Sequence, residues 1–134
     1  MTVLKIHESA ENYLETILVL HNQKGTVRSI DIANELGFSK PSVSVAMKNL
    51  RENGYITVSP EGSISLLPAG QEIADKIYER HTVITDLLTA LGVDPEIAAE
   101  DACRVEHVIS AESFAAIKAH AQKNIPELLE QQPE

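Results

Sequence analysis

A chain of 134 residues, 43% hydrophobic and with mean hydropathy −0.09, has enough apolar material for a core, and no apolar run approaches the roughly 20 residues needed to cross a bilayer. Wholesale disorder and a membrane-spanning protein are excluded. The single cysteine, Cys103, rules out an intrachain disulfide, and the start lacks the basic, apolar and small-residue succession of a secretory leader, so a cytoplasmic protein is expected.

The net charge of −9 is unevenly spread. Residues 1–60 carry six basic and six acidic side chains, whereas residues 61–134 carry five against fourteen. Within 24–51 the balance reverses to +3, through Lys24, Arg28, Lys40, Lys48 and Arg51. Two surfaces with different partners are implied. Aromatics are scarce while Ala, Leu, Ile, Val and Glu abound, a composition suited to helices packed through aliphatic side chains.

Ala10, Tyr13, Leu14, Ile17 and Leu18 recur at helical spacing, which predicts a first helix from Ser9 to about Asn22, ended by Lys24-Gly25. Ser29 reads as the N-cap of a short helix, Ile30 to Leu36, with Gly37 as its C-cap. Ser39 caps a third helix whose first turn holds Lys40-Pro41 and which runs to Asn53-Gly54. Tyr55–Val58 and Ser63–Leu66 have strand composition around the turn Ser59-Pro60-Glu61-Gly62, and so form a hairpin. A long helix follows over about 70–90, closed by Gly92. Pro95 opens another that runs to about Val108, and Ser110 starts the last; the acidic tail after Asn124 has no assignable element.

Helix, short helix, four-residue turn, helix and hairpin is the element order of a winged helix-turn-helix. In that geometry the third helix enters the major groove of double-stranded operator DNA and the hairpin lies against the backbone. The candidate contacts are Ser39, Lys40, Pro41, Ser42, Ser44 and Lys48: hydroxyls for phosphates or bases, lysines for phosphates. Serines at a helix start are commonly capping groups, so the order of elements carries the inference rather than the serines. No Arg or Asn occupies the first two turns, and much of the specificity is expected to come from DNA shape.

Cys103, Glu106 and His107 fall at i, i+3 and i+4 of one predicted helix and project from one face. Thiolate, carboxylate and imidazole form a ligand set for a transition ion, although such spacing also arises as a packed thiol beside a solvated face. Glu8, Glu11, Asn12 and Glu15 on the first helix and His81 on the fourth supply further donors. If these helices pack together, Glu15 and His81 complete the coordination sphere.

These stretches resemble the diphtheria toxin repressor and manganese transport regulator family of bacterial metal-dependent repressors, over Glu8 to Ser110. Asp101-Ala-Cys-Arg-Val-Glu-His-Val-Ile-Ser110 is similar to the family's metal-binding helix in its iron-type form. Asn12-Tyr-Leu-Glu-Thr-Ile17, Tyr78-Glu-Arg-His81 and Ser39-Lys-Pro-Ser-Val-Ser44 resemble its first helix, fourth helix and recognition-helix start. The resemblance implies a mainly α fold, with a winged helix-turn-helix DNA-binding domain over 1–68 and a helical metal-binding and dimerisation domain over 69–134. It implies a homodimer with a divalent ion as corepressor. Glu106 and His107 match ligands throughout the family, Cys103 the cysteine of the iron-responsive branch, His81 a ligand of both branches and Glu15 one of the manganese branch. Asn12 departs from the family's Met or Asp and is a weaker ligand than carboxylate. Thr85 and Ala99 stand where the iron branch has further ligands, so a second site is expected to be altered or absent. The resemblance also leads to the expectation of the short, two-domain architecture, without the SH3-like domain of longer members.

The expected function is therefore a repressor that binds its operator when loaded with Fe(II), with Mn(II) as the second choice, and that is not an enzyme. Two rivals stand beside it. One is a metal-independent winged-helix regulator sensing a small ligand or redox state. The other is a small metallohydrolase built on Cys103, Glu106 and His107, which lacks a phosphate loop or nucleophile elbow.

Overall fold

Eight elements follow one another in the computed structural model: α1 (Thr2–Lys24), α2 (Ser29–Leu36), α3 (Lys40–Glu52), β1 (Ile56–Val58), β2 (Ile64–Leu66), α4 (Pro68–Ala90), α5 (Pro95–Val105) and α6 (Ala111–Asn124). The structure describes residues 2–125, with side chains from Glu8 onward, and most of the acidic tail lies outside the described residues. Two compact units divide within α4, at Lys76 and Ile77.

In the first unit, the apolar stripes of α1, α2 and α3 meet over Leu14, Ile17, Ile32, Val43 and Leu50, all buried. Each such side chain contributes about 1.5–3 kcal/mol by leaving water. The α2–α3 turn is closed by Gly37, whose φ of 70° lies in the left-handed region that glycine adopts without strain. Ser39 caps α3 as expected, its Oγ accepting the Ser42 N–H at 3.3 Å. The hairpin is antiparallel, pairing Ile56 with Leu66, Thr57 with Ser65 and Val58 with Ile64. Ile56 and Ile64 face the core while Thr57 and Ser65 face solvent, the period-two alternation of a half-buried sheet. Val27, just before α2, accepts the Ile64 N–H at 2.7 Å and ties the wing back to the helices.

Several local boundaries differ from the expectation. The first helix begins at Thr2 rather than Ser9, since no proline or glycine interrupts its start. Ser29 is the first helical residue of α2 and not its cap. Arg28 occupies the cap position, and the Asp31 carboxylate accepts the Arg28 N–H at 2.9 Å and pairs with Lys24 Nζ at 2.6 Å. The fourth helix starts at Pro68, because proline fits a first helical turn and Gly70 is carried inside it.

The second unit packs the later part of α4 with α5 and α6 around Val83, Ile84, Ala102, Phe114 and Ala121. Asp94 caps α5 through the Glu96 N–H, and Ser110 caps α6 through the Ser113 N–H at 3.0 Å. Lys118 of α6 and Glu79 of α4 pair at 2.8 Å. The helix expected to reach Val108 stops at Val105, so that Glu106 and His107 lie in the turn that follows. No helix among the described residues is long and apolar enough to cross a membrane.

Candidate metal centre and nucleic-acid interface

The expected DNA-contacting residues Ser39, Lys40, Pro41, Ser42, Ser44 and Lys48 are all exposed at the start and along the outer side of α3. Val43, Met47 and Leu50 turn the other way into the core, which leaves Pro41, Ser44, Val45 and Lys48 on one face at i, i+3, i+4 and i+7. The Ser39 hydroxyl is already engaged in the cap and donates to Ser42 Oγ at 2.8 Å. Val45 was not among the expected contacts. It is 60% exposed in the middle of this face, and the signal was its position off the apolar stripe of its own helix. Phe38, in the turn before α3, is also partly exposed and stands edge-on to Tyr13 of α1, with ring centroids 6.1 Å apart. Burial raises the Tyr13 phenol above its ordinary pKa.

In the second unit, α4 supplies His81, α5 supplies Cys103, and the turn after it supplies Glu106 and His107. Although the helix ends at Val105, the Glu106 N–H still donates to the Ala102 carbonyl at 2.9 Å and its backbone remains right-handed helical. The i, i+3 relation of Cys103 and Glu106 therefore survives the end of the helix. Glu106 is wholly buried. One of its carboxylate oxygens lies 3.0 Å from His81 Nδ1 and the other 3.3 Å from His107 Nε2. Donor atoms of His81, Cys103 and Glu106 all lie within 4.8 Å of one another. Cys103 is exposed and thus not a packed hydrophobe.

These residues fit a transition ion. A carboxylate taken wholly out of water is costly unless positive charge or hydrogen bonds compensate it, and Glu106 Oε1 makes no well-formed hydrogen bond among the described residues, its contact with the His107 ring nitrogen being 3.3 Å long. Imidazole nitrogen, thiolate sulfur and carboxylate oxygen are the donor types that first-row transition ions accept. Of the other expected ligands, Glu15 is buried and Asn12 half-buried on α1, in the first unit; the Asn12 carbonyl accepts from the Thr16 hydroxyl at 2.8 Å. Thr85 and Ala99, where a second site was expected to be altered or absent, bring no charged donor.

Comparison with known proteins agrees with both halves of this description. Residues 5–64 match the family described as iron dependent repressor, N-terminal DNA binding domain. Residues 67–124 match iron dependent repressor, metal binding and dimerisation domain. The transcriptional regulator MntR of Salmonella typhimurium is 37% identical over 117 residues, covering 87% of this chain and 74% of that protein. An HTH-type transcriptional regulator MntR of Listeria monocytogenes is 32% identical over 109 residues, covering 81% and 77%. Among solved structures, a manganese-dependent transcriptional repressor in complex with manganese superposes with a TM-score of 0.74 at 25% identity, over 83% of this chain and 51% of that one. The chain thus spans about half the length of that solved chain. With family matches over nearly all its described residues, the chain belongs to the iron-dependent repressor family of metal-dependent transcriptional regulators.

Proposed function

We propose that this protein is a cytoplasmic repressor that binds double-stranded operator DNA as a homodimer when a divalent transition ion is held by His81, Cys103, Glu106 and His107. Glu15 and, more weakly, Asn12 are proposed as further donors on the strength of the family resemblance. The observation that carries this reading is the burial of Glu106 between two imidazoles and within reach of the Cys103 thiol. The bound ion supplies the positive charge that a wholly buried carboxylate calls for.

Lys40 and Lys48 neutralise phosphates, Ser42 and Ser44 bond phosphate or base edges, and the start of α3 faces the groove. In this reading metal binding and operator binding are coupled. By linkage, operator then tightens metal binding by the factor with which metal tightens operator binding. Ile97, Val105 and Val108 are exposed apolar residues of the second unit and support its dimerising role.

The names of the relatives favour Mn(II), whereas the Cys103 thiolate favours a softer ion such as Fe(II). We place Mn(II) first on the weight of the relatives. Membership of a family of transcription regulators leaves no support for the hydrolase reading.

The test is an anaerobic mobility-shift titration against operator fragments with Mn(II), Fe(II) or no metal. Operator binding that rises with one of the two ions and collapses with a chelator is expected. Binding of equal strength with and without metal overturns the proposal.

A further inference from the structure

From the second unit we infer that Arg80 is a positioning residue for the metal centre, a role that rests on the metal-binding reading above. Its Nη1 donates to the carbonyl of Glu106 at 3.1 Å and to that of Ile109 at 2.8 Å. Its guanidinium lies 5.4 Å from the centre of the Phe114 ring at the start of α6.

These contacts sit where local structure leaves a gap. Once α5 stops at Val105, the carbonyls of the following turn lose the N–H donors that a continuing helix would have brought to them. Glu106 O and Ile109 O therefore need donors from elsewhere, and Arg80, 26 and 29 residues earlier in the chain, provides one for both. The guanidinium carbon lies over the Phe114 ring, so the head group is held by packing as well as by hydrogen bonds.

Arg80 adjoins His81. One stretch of α4 thus presents an imidazole to the Glu106 carboxylate and grips the backbone of that same glutamate. The backbone of the turn that carries Glu106 and His107 is thereby tied to α4 without help from an ion. Such outer contacts commonly change metal affinity about 10- to 100-fold.

The experiment uses the full chain and Co(II) alone as an anaerobic probe, read by calorimetry and by the visible absorption of the bound ion. Arg80→Met keeps much of the stem but removes both donors, and Arg80→Lys returns a donor without the flat fork. Arg80→Met is expected to bind Co(II) about 10- to 100-fold more weakly with an altered spectrum, and Arg80→Lys to recover part of both. A folded Arg80→Met that loses thermal stability yet binds Co(II) with wild-type affinity and spectrum overturns the inference, because Arg80 then serves the fold alone. Should Arg80→Met fail to fold, Phe114→Leu removes the ring beneath the guanidinium while keeping apolar volume. It is expected to weaken Co(II) binding several-fold, and unchanged binding there overturns the inference too. A wild-type chain that takes up no Co(II) defeats the metal-centre reading itself, and with it the role of Arg80.

Discussion

Gly70, in the first turn of α4, lies so close against Tyr55 that a methyl group added to its Cα would overlap the Tyr55 carbonyl oxygen. That oxygen also accepts the Leu67 N–H at 2.9 Å, so it is held on one side by a hydrogen bond and on the other by the bare glycine. The start of α4 is thereby seated directly on the backbone where α3 gives way to the wing. Gly70→Ala gains helix propensity but meets backbone rather than a yielding side chain. A loss of about 1–3 kcal/mol is expected in urea unfolding, the range of overpacked sites. A stabilised variant would show that the contact yields.

Asp31 carries a pH prediction. Its carboxyl is held below the ordinary aspartate range, first by the hydrogen bond from Lys24 and then by that from the Arg28 backbone N–H. A carboxyl with a depressed folded pKa adds stability above its unfolded value and loses that contribution as the pH falls through the folded value. Asp31→Asn should therefore lower the melting midpoint at pH 7 by a small amount, as befits a surface pair. The gap between variant and wild type should shrink as the pH drops below about 4. A gap that stays constant from pH 7 to pH 2 would assign the effect to the amide substitution rather than to charge.

These two sites show what was legible in the sequence and what was not. Ser39, Ser110 and Gly37 announced their caps because capping is decided by one residue and its immediate neighbours. Ser29 misled because a residue of capping type stood one place inside the helix, while Asp31 did the capping from within the first turn. The early end of α5 had no local sign at all. Its freed carbonyls are satisfied by Arg80 from a distant helix, which only the tertiary packing reveals. For the site, the spacing of Cys103, Glu106 and His107 was legible, as was His81. The complete burial of Glu106 and the exposure of Cys103 were not, since helical spacing fixes a shared face but not the depth of each residue beneath the surface.

On the proposed reading, Cys103 sets the character of the donor set. Replacing it by Asp keeps a negative ligand but exchanges sulfur for the oxygen that Mn(II) prefers. Cys103→Asp is expected to raise the Mn(II)-to-Fe(II) affinity ratio by about tenfold or more, measured by competition under anaerobic conditions. An unchanged ratio would mean that the thiol lies outside the coordination sphere. His107→Ala, by contrast, should weaken both ions together.

The lysines of α3 make a separable prediction, because phosphate contacts release counterions and base contacts do not. Lys40→Met and Lys48→Met should each weaken binding on all sequences alike and each flatten the plot of log affinity against log salt by about one. Both side chains are exposed on the helix. A variant that changes sequence preference while leaving the salt slope intact would place that lysine on a base rather than on a phosphate.

Val45 offers the sharpest test of how α3 reads DNA. An aliphatic side chain 60% exposed, on the same face as Pro41, Ser44 and Lys48, gains by covering apolar surface on its partner. In the major groove that surface is the C5-methyl group of thymine. Val45→Ala should then lose affinity for the preferred operator and tolerate other bases at one or two positions, at about 1–3 kcal/mol per position, the usual scale of a single mismatch. Replacing thymine by deoxyuridine at each operator position removes only the methyl group. The wild-type protein should be weakened by this exchange at the positions where Val45→Ala is indifferent to it. If both proteins respond equally at every thymine, Val45 does not contact a methyl group, and recognition by this helix must rest on its hydroxyls and on the shape of the DNA.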